Sequence, residues 1–420
     1  MILLYRLITF FLYPILIVLI FFRKIIKKED DKRYKEKIFP SYFNVVRKTK
    51  NKLIWFHASS LGESKSILPI IKELNKNFKN LDFLVTSTTL SSSNLIQQEI
   101  KKYRNIKHRF FPIDVSFIIK KFLSNWRPDA IFFVDSEVWP NLITKINQYK
   151  IPLAIINARI TSKTFKRWML FPNTAKKIFT SFDLCLTANK ETRYYLTQLN
   201  CRNIFYTGNI KLIDKIILNK KNKFNKKFLL NKKFWFAAST HEGEEKICLS
   251  VHSLLKKKFN NIITIIAPRH IERVHQIKHL SDQLKFNSQI LGKGEIIKNK
   301  KELIIINSFG DLPDYLENCK SVFIGKSLFK KFENNGGQSP IEAAKLGCKI
   351  YHGPYTYNFF DIYKILGKKK ISKVIYNSNQ LYVNLLRDLK RKKRKDKKIT
   401  SKFMRTLEKK TLIITMRKVK

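Results

Sequence analysis

LIWFHASSLGESKS, residues 53–66, decides the fold. Leu53 to Ala58 is a continuous apolar and aromatic run, the mark of a strand buried on both faces. It passes through serines, Gly62 and Glu63 into SKSILPIIKELNKNF, a segment of helix length. A strand that turns at a glycine into a helix opens a βαβ unit. Glu63 stands at that turn. It can cap the helix N-terminus, where a carboxylate is stabilised by about 0.3–1 kcal/mol, or serve as a general base.

Outward from this stretch the alternation repeats. LDFLVTST (81–88), AIFFVD (130–135), PLAIINA (152–158) and LCLTA (184–188) are strand-like, with helix-length segments between them. A Lys/Asn-rich linker is expected at 209–232. The pattern restarts with KFWFAAS (233–239), NIITIIAP (261–268), ELIIIN (302–307), SVFIG (321–325) and CKIYHG (348–353). The reading is α/β: two doubly wound Rossmann-like domains, 29–208 and 233–390, facing across a cleft.

The ends differ from this pattern. Met1 to Phe22, MILLYRLITFFLYPILIVLIFF, makes an apolar helix about 33 Å long, enough to span a bilayer core. Arg23, Lys24, Lys27 and Lys28 then put the remaining chain on the cytoplasmic side. No A-x-A-like cleavage site follows, so residues 1–28 are expected to stay as a membrane anchor. An interfacial helix and a buried core helix are the alternatives. Residues 391–420 are expected to be a solvated basic tail or helix that could touch anionic lipid.

The net charge of +53, from 84 Lys and Arg against 31 Asp and Glu, attracts polyanions. The basic runs are spread along the chain, however, without a C2H2, RRM or P-loop pattern, so nucleic acid is not an expected partner. The five cysteines form no CxxC pair and read as reduced core thiols. His241 and His270 lack a ligand partner at i+3 or i+4, and no metal site is expected.

In doubly wound sheets ligands sit beyond the carboxyl ends of the strands. There lie His57, Ser59, Ser60, Gly62 and Glu63, then DSEVWPN (135–141), ASTHEGEEK, APRH, SFGDLPDYL, GKSLF, NNGGQSPIEAA and HGPYTYNF. Gly336-Gly337, ahead of Ser339 and a helix start, is expected to let a ligand approach the backbone and to favour an anion. Glu342 is placed to accept hydrogen bonds from sugar hydroxyls.

This ordered series, with INARIT and TGNIKLID between the halves, resembles the 3-deoxy-D-manno-octulosonic acid (Kdo) transferases, over essentially the whole chain. The resemblance implies a GT-B fold with an acceptor-binding N-terminal domain and a CMP-sugar-binding C-terminal one. It implies transfer of Kdo from CMP-Kdo to a lipid A precursor, lipid IVA, in lipopolysaccharide synthesis. The reaction would be inverting, would use no metal or cofactor, and would take place at the cytoplasmic face of the inner membrane against its anionic lipids. By motif, Glu63 would be the proton acceptor, and Asp135 and Lys211 would act on the transition state. Pro268 and Arg269, Phe309, Gly310 and Asp311, and Ser339, Pro340, Ile341 and Glu342 would contact the donor. Departures from the family pattern are Asp for Glu at 135 and at 311, Gln338-Ser339 for His-Asn, and Lys326 for a glycine. Another GT-B glycosyltransferase or a sugar-nucleotide epimerase is the alternative enzyme. A non-catalytic, membrane-tethered polyanion binder is the alternative of another class.

Overall fold

The structure is a computed structural model. It describes every residue except Val46, Lys48, Thr49, 217–222, Asn231, Phe309, 392–395 and Lys420, and it omits the side chains of Lys223, Phe224 and Asp396. The chain divides into two units, Met1–Asp214 with Glu408–Lys420, and Lys215–Leu407.

The first unit contains β1 (Lys52–His57), β2 (Leu81–Ser87), β3 (Ile106–Phe110), β4 (Ala130–Val134), β5 (Leu153–Ala158), β6 (Leu184–Thr187) and β7 (Ile204–Tyr206). They form one sheet in the order β3-β2-β1-β4-β5-β6-β7, and every pairing is parallel. Parallel strands require crossovers, and the crossover helices cover both faces. Successive side chains therefore enter opposite cores. Trp55 packs with Phe111, Phe122 and Phe133 on one face, whereas Phe56 packs with Phe83, Phe132 and Ile67 on the other.

The second unit repeats the plan with β8 (Lys233–Thr240), β9 (Ile262–Pro268), β10 (Ser288–Gly292), β11 (Leu303–Asn307), β12 (Ser321–Ile324), β13 (Lys349–His352) and β14 (Ser372–Val374). Its sheet runs β10-β11-β9-β8-β12-β13-β14, again all parallel. Both orders reverse at a switch point, β1/β4 in the first unit and β8/β12 in the second.

Three sequence expectations change. The N-terminal segment is not one continuous helix. Ile2–Phe11 and Tyr13–Ile25 meet at a 56° bend. Pro14 supplies the cause, since it lacks an N–H and crowds the preceding turn. Among the described residues no single helix is long and apolar enough to cross a membrane; the bent pair reaches that length and composition only when taken together. The pair is fastened to the first unit. Tyr5 Oη donates to Asp114 at 3.1 Å, Asn141 Nδ2 donates to Thr9 Oγ1 at 3.0 Å, and Ile20 is buried with Tyr34 and Ile38. Leu4, Leu7, Phe11, Val18 and Phe22 on the same helices remain exposed.

The expected linker also starts later than 209. Ile210, Leu212 and Ile213 are buried in a 3-10 turn of the first unit, so apolar burial extends the domain to Asp214. Of the remaining linker stretch, 217–222 and Asn231 lie outside the described residues. Last, the C-terminal segment is not merely solvated. Asp396–Val419 is a helix that buries Met404, Thr411, Thr415 and Met416, and Met416 joins the core beneath β1 and β5.

Candidate active site

In the first unit the carboxyl ends of β1 and β4 bound the switch point. Ser60 caps the helix Leu61–Asn77, and Glu63 completes a capping box with it. Ser60 Oγ donates to Glu63 Oε1 at 2.6 Å, and Ser59 N–H donates to Oε2 at 2.8 Å. Both sequence readings of Glu63 thus share one geometry, because the cap fixes a carboxylate that stays partly exposed. Burial pushes the Glu63 carboxyl above its ordinary range. The charges of Asp135 and Glu137 push the same way, against the hydrogen bonds from Ser60 and Ser59. A carboxylate with a raised pKa accepts a proton more readily, as a general base requires.

Asp135 follows β4 in a left-handed conformation with φ of 67°, which Asp tolerates better than most residues. Its main chain is clamped: its N–H donates to the Ile156 carbonyl at 3.0 Å and its carbonyl accepts from Arg159 N–H at 3.2 Å. The side chain turns to Lys211, whose Nζ lies 3.7 Å from Asp135 Oδ2. Lys211 is held by the turn Ile210–Ile213, where Asn209 accepts from its N–H and Asn157 Oδ1 accepts from the Ile210 N–H, both at 3.0 Å. A side chain on Gly62 would meet the Lys211 stem at 3.9 Å. Glu63, Asp135 and Lys211 therefore converge at the carboxyl ends of the strands of the first sheet.

The sequence reading missed the role of Glu137. Its carboxylate accepts from Trp139 Nε1 at 2.6 Å and lies 3.4 Å from His57 Nε2, across the switch point. His57 is wholly buried, stacks on Phe111, and meets Thr86 Oγ1 through Nδ1 at 2.9 Å. Burial alone would raise the Glu137 carboxyl, but the hydrogen bond and charge of His57, with hydrogen bonds from Ser59 and Trp139, hold it below its usual value. Two carboxyls near each other are thereby pushed in opposite directions, the pattern that separates a base from a fixed charge. Nothing in the sequence alone joins position 57 to 137; strand order does.

In the second unit the corresponding crevice holds Glu244, which is fully buried. It accepts the N–H groups of His241, Lys326, Ser327 and Leu328 at 2.7–3.2 Å, and so shapes the loop after β12. Lys326, where a glycine was expected, adopts φ of 56° and is held by Glu244 and by the Gly337 N–H that donates to its carbonyl. Pro268 is buried at the end of β9 and Arg269 is exposed just after it. His241 lies near Arg269, His270 and Lys326. Burial first, and then those three groups, lower its pKa to about 4. The result is an electropositive edge suited to a phosphate.

The other predicted donor residues are more dispersed. Asp311 is buried and accepts from Ser308 Oγ at 2.6 Å, next to Gly310 with φ of 93°; Phe309 lies outside the described residues. Pro340 and Ile341 turn into the core, so only their backbone could serve a ligand, while Ser339 is exposed and Glu342 partly so. Among the described residues no hydrogen bond or ion pair joins Ser339–Glu342 to Arg269 or Asp311. The two glycines have a packing cause. A Cβ at Gly336 would come 2.5 Å from the Phe332 and Tyr355 carbonyls, and one at Gly337 2.8 Å from Thr356 Cα. Close approach of the chain's own backbone already requires glycine at both positions. The helix that follows, Ile341–Lys345, is only five residues long, which leaves little dipole to attract an anion.

The family model for 3-deoxy-D-manno-octulosonic-acid transferase (kdotransferase) matches residues 32–213. The 3-deoxy-D-manno-octulosonic acid transferase of Rickettsia bellii is 31% identical over 386 residues, covering 91% of this chain and 89% of that protein. That of Haemophilus influenzae is 26% identical, covering 74% of this chain and 73% of its own. Among solved structures, UDP-GlcNAc 2-epimerase from Neisseria meningitidis superposes with a TM-score of 0.58 at 14% identity, over 87% of this chain and 98% of that one, and so shares the two-unit fold. With sequence similarity extending through both units, the chain belongs to the 3-deoxy-D-manno-octulosonic acid transferase family of glycosyltransferases.

Proposed function

We propose that this Kdo transferase takes its sugar from CMP-Kdo and places it on a lipid A precursor at the cytoplasmic face of the inner membrane. Glu63 removes the proton from the attacking hydroxyl, and attack from the face opposite the leaving CMP inverts the anomeric carbon. Asp135 and Lys211 form a fixed charge pair beside the base. Arg269 offers its guanidinium to the nucleotide phosphate, a charge-assisted contact, and Asp311, Ser339 and Glu342 are the further donor contacts. No metal or cofactor is assigned a step. The bent N-terminal helices, whose exposed face is apolar, hold the enzyme to anionic lipid.

The observation that carries the reading is the Glu63 carboxyl, raised by burial and placed beside the Asp135–Lys211 pair at the β1/β4 switch point. The test is incubation of the purified full chain with CMP-Kdo, and separately with UDP-sugars, on a tetra-acylated lipid A precursor, read by product mass spectrometry. A Kdo increment from CMP-Kdo alone is expected. Transfer only from a UDP-sugar, or epimerisation of one, would overturn the assignment.

A further inference from the structure

Beside Asp135 the first unit contains a cavity of about 200 Å³. Ile155, Ile160, Trp168, Phe179 and Phe182 line most of it, and Asp135 and Arg159 form part of its wall. Folded interiors hold few voids larger than a water molecule, and an apolar void costs stability unless something occupies it. An apolar cavity of about 150 Å³ already accepts a benzene ring, so this one has room for a segment of hydrocarbon. The polar lining, Asp135, Ser136, Arg159 and Thr164, is outnumbered by apolar side chains.

The cover of the cavity is equally particular. The helix Ser162–Met169 contributes Thr164 and Trp168 to the lining, and Trp168 packs edge-on against Phe179 at 5.2 Å. Yet none of its residues is buried. A segment with so little burial opens at small cost. It ends in Met169, Leu170 and Phe171, which are 43%, 71% and 46% exposed, and it carries exposed Lys163, Lys166 and Arg167. Apolar tips among cations are the composition of a segment that rests on an anionic lipid surface.

We propose that this cavity is the pocket for a hydrocarbon chain of the acceptor, with the helix Ser162–Met169 as its lid. The identity of the acceptor rests on the function proposed above, whereas the apolar chemistry of the pocket stands on its own. A chain seated there ties the acceptor to the wall that Asp135 shares. The pocket thereby selects lipid-borne acceptors and discriminates by chain length.

The test uses the full chain and n-alkyl maltosides from hexyl to dodecyl, below micelle formation, titrated by calorimetry. Affinity is expected to rise about fourfold per methylene and to level off once the cavity is full. Thr164→Trp places an indole in the cavity from an exposed position while Thr161 keeps its capping hydroxyl, so the variant should fold, which thermal unfolding checks. It should level off at a shorter chain. With the acylated acceptor it should raise KM about tenfold or more, with KM for CMP-Kdo unchanged. Identical chain-length curves for the two proteins, or affinity that climbs without levelling, would overturn the pocket. Should the wild type transfer no Kdo at all, the proposed reaction fails, and the maltoside curves still decide what the cavity binds.

Discussion

The two units place a glutamate at the same topological position, and the two glutamates do different things. Glu63 follows β1 and Glu244 follows β8, each at the point where its strand order reverses. Burial raises both carboxyls. Their partners separate them. Glu244 is sealed, with four backbone N–H groups on its two oxygens, and holds a loop in shape. Glu63 takes its hydrogen bonds from Ser59 and Ser60, remains partly exposed, and has Asp135 and Glu137 as charged neighbours. A carboxylate at a switch point is therefore not a base by position. Access and charged neighbours make it one.

The contrast breaks first at Glu63→Gln. A glutamine retains the capping box but cannot take up the proton, and loss of a general base costs roughly 10²–10⁴-fold in rate. The melting temperature should not fall. The folded state binds the Glu63 proton more tightly than the unfolded chain does, so charged Glu63 subtracts from stability at neutral pH, and the substitution removes that cost. Initial rates and thermal unfolding, measured together, check both halves; near wild-type transfer would remove Glu63 from the chemistry.

Glu244→Ala should reverse that profile. Four N–H groups lose their acceptor in a sealed site, and even with water admitted the loss is about 3 kcal/mol. The urea midpoint of the second unit should drop accordingly. Glu63→Gln should leave it in place.

How much of this could be read from the sequence follows the same physical divide. The ten strands found from apolar runs are the interior ones. The four that escaped notice, β3, β7, β10 and β14, are the four sheet edges. An edge strand is not buried on both sides, so it has no need of a continuous apolar run. β3 reads IKHRF, and its Lys107 is exposed. The polar clusters after the strands gave Glu63, Asp135 and Arg269 because strand ends are local features, whereas Lys211 came only from the resemblance. The His57–Glu137 contact joins residues far apart in the chain and needs β1 beside β4. Gly336 and Gly337 are ambiguous for a related reason: a glycine signals close approach without saying what approaches, and the segment at Tyr355 and Thr356 does so here.

Asp135→Asn is a finer test of the neighbour effect. Asn accepts a left-handed conformation, so the clamp on the backbone should survive. The charge that helps to raise Glu63 is lost. Because transfer needs charged Glu63, activity falls as pH drops through its folded pKa, and that acid limb should move to lower pH. The rate above the limb should suffer less than with Glu63→Gln. A limb that stays in place would show that the Asp135 charge does not tune the base.

Ser60→Ala should produce the smallest change and the opposite sign. Its hydroxyl caps the helix Leu61–Asn77 and donates to Glu63 Oε1 at 2.6 Å. Loss of the cap costs about 1 kcal/mol, visible as a modest fall in the urea midpoint of the first unit. The hydrogen bond to the charged carboxylate is one of the influences that hold the Glu63 pKa down, so its removal raises that pKa further and the acid limb should move to higher pH. Full activity should return once the pH exceeds the new limb, since the base itself is intact. Ser60→Thr keeps the hydroxyl and should restore both the midpoint and the limb. If Ser60→Ala lowers the rate equally at every pH, the hydroxyl orients Glu63 and does not tune its proton affinity.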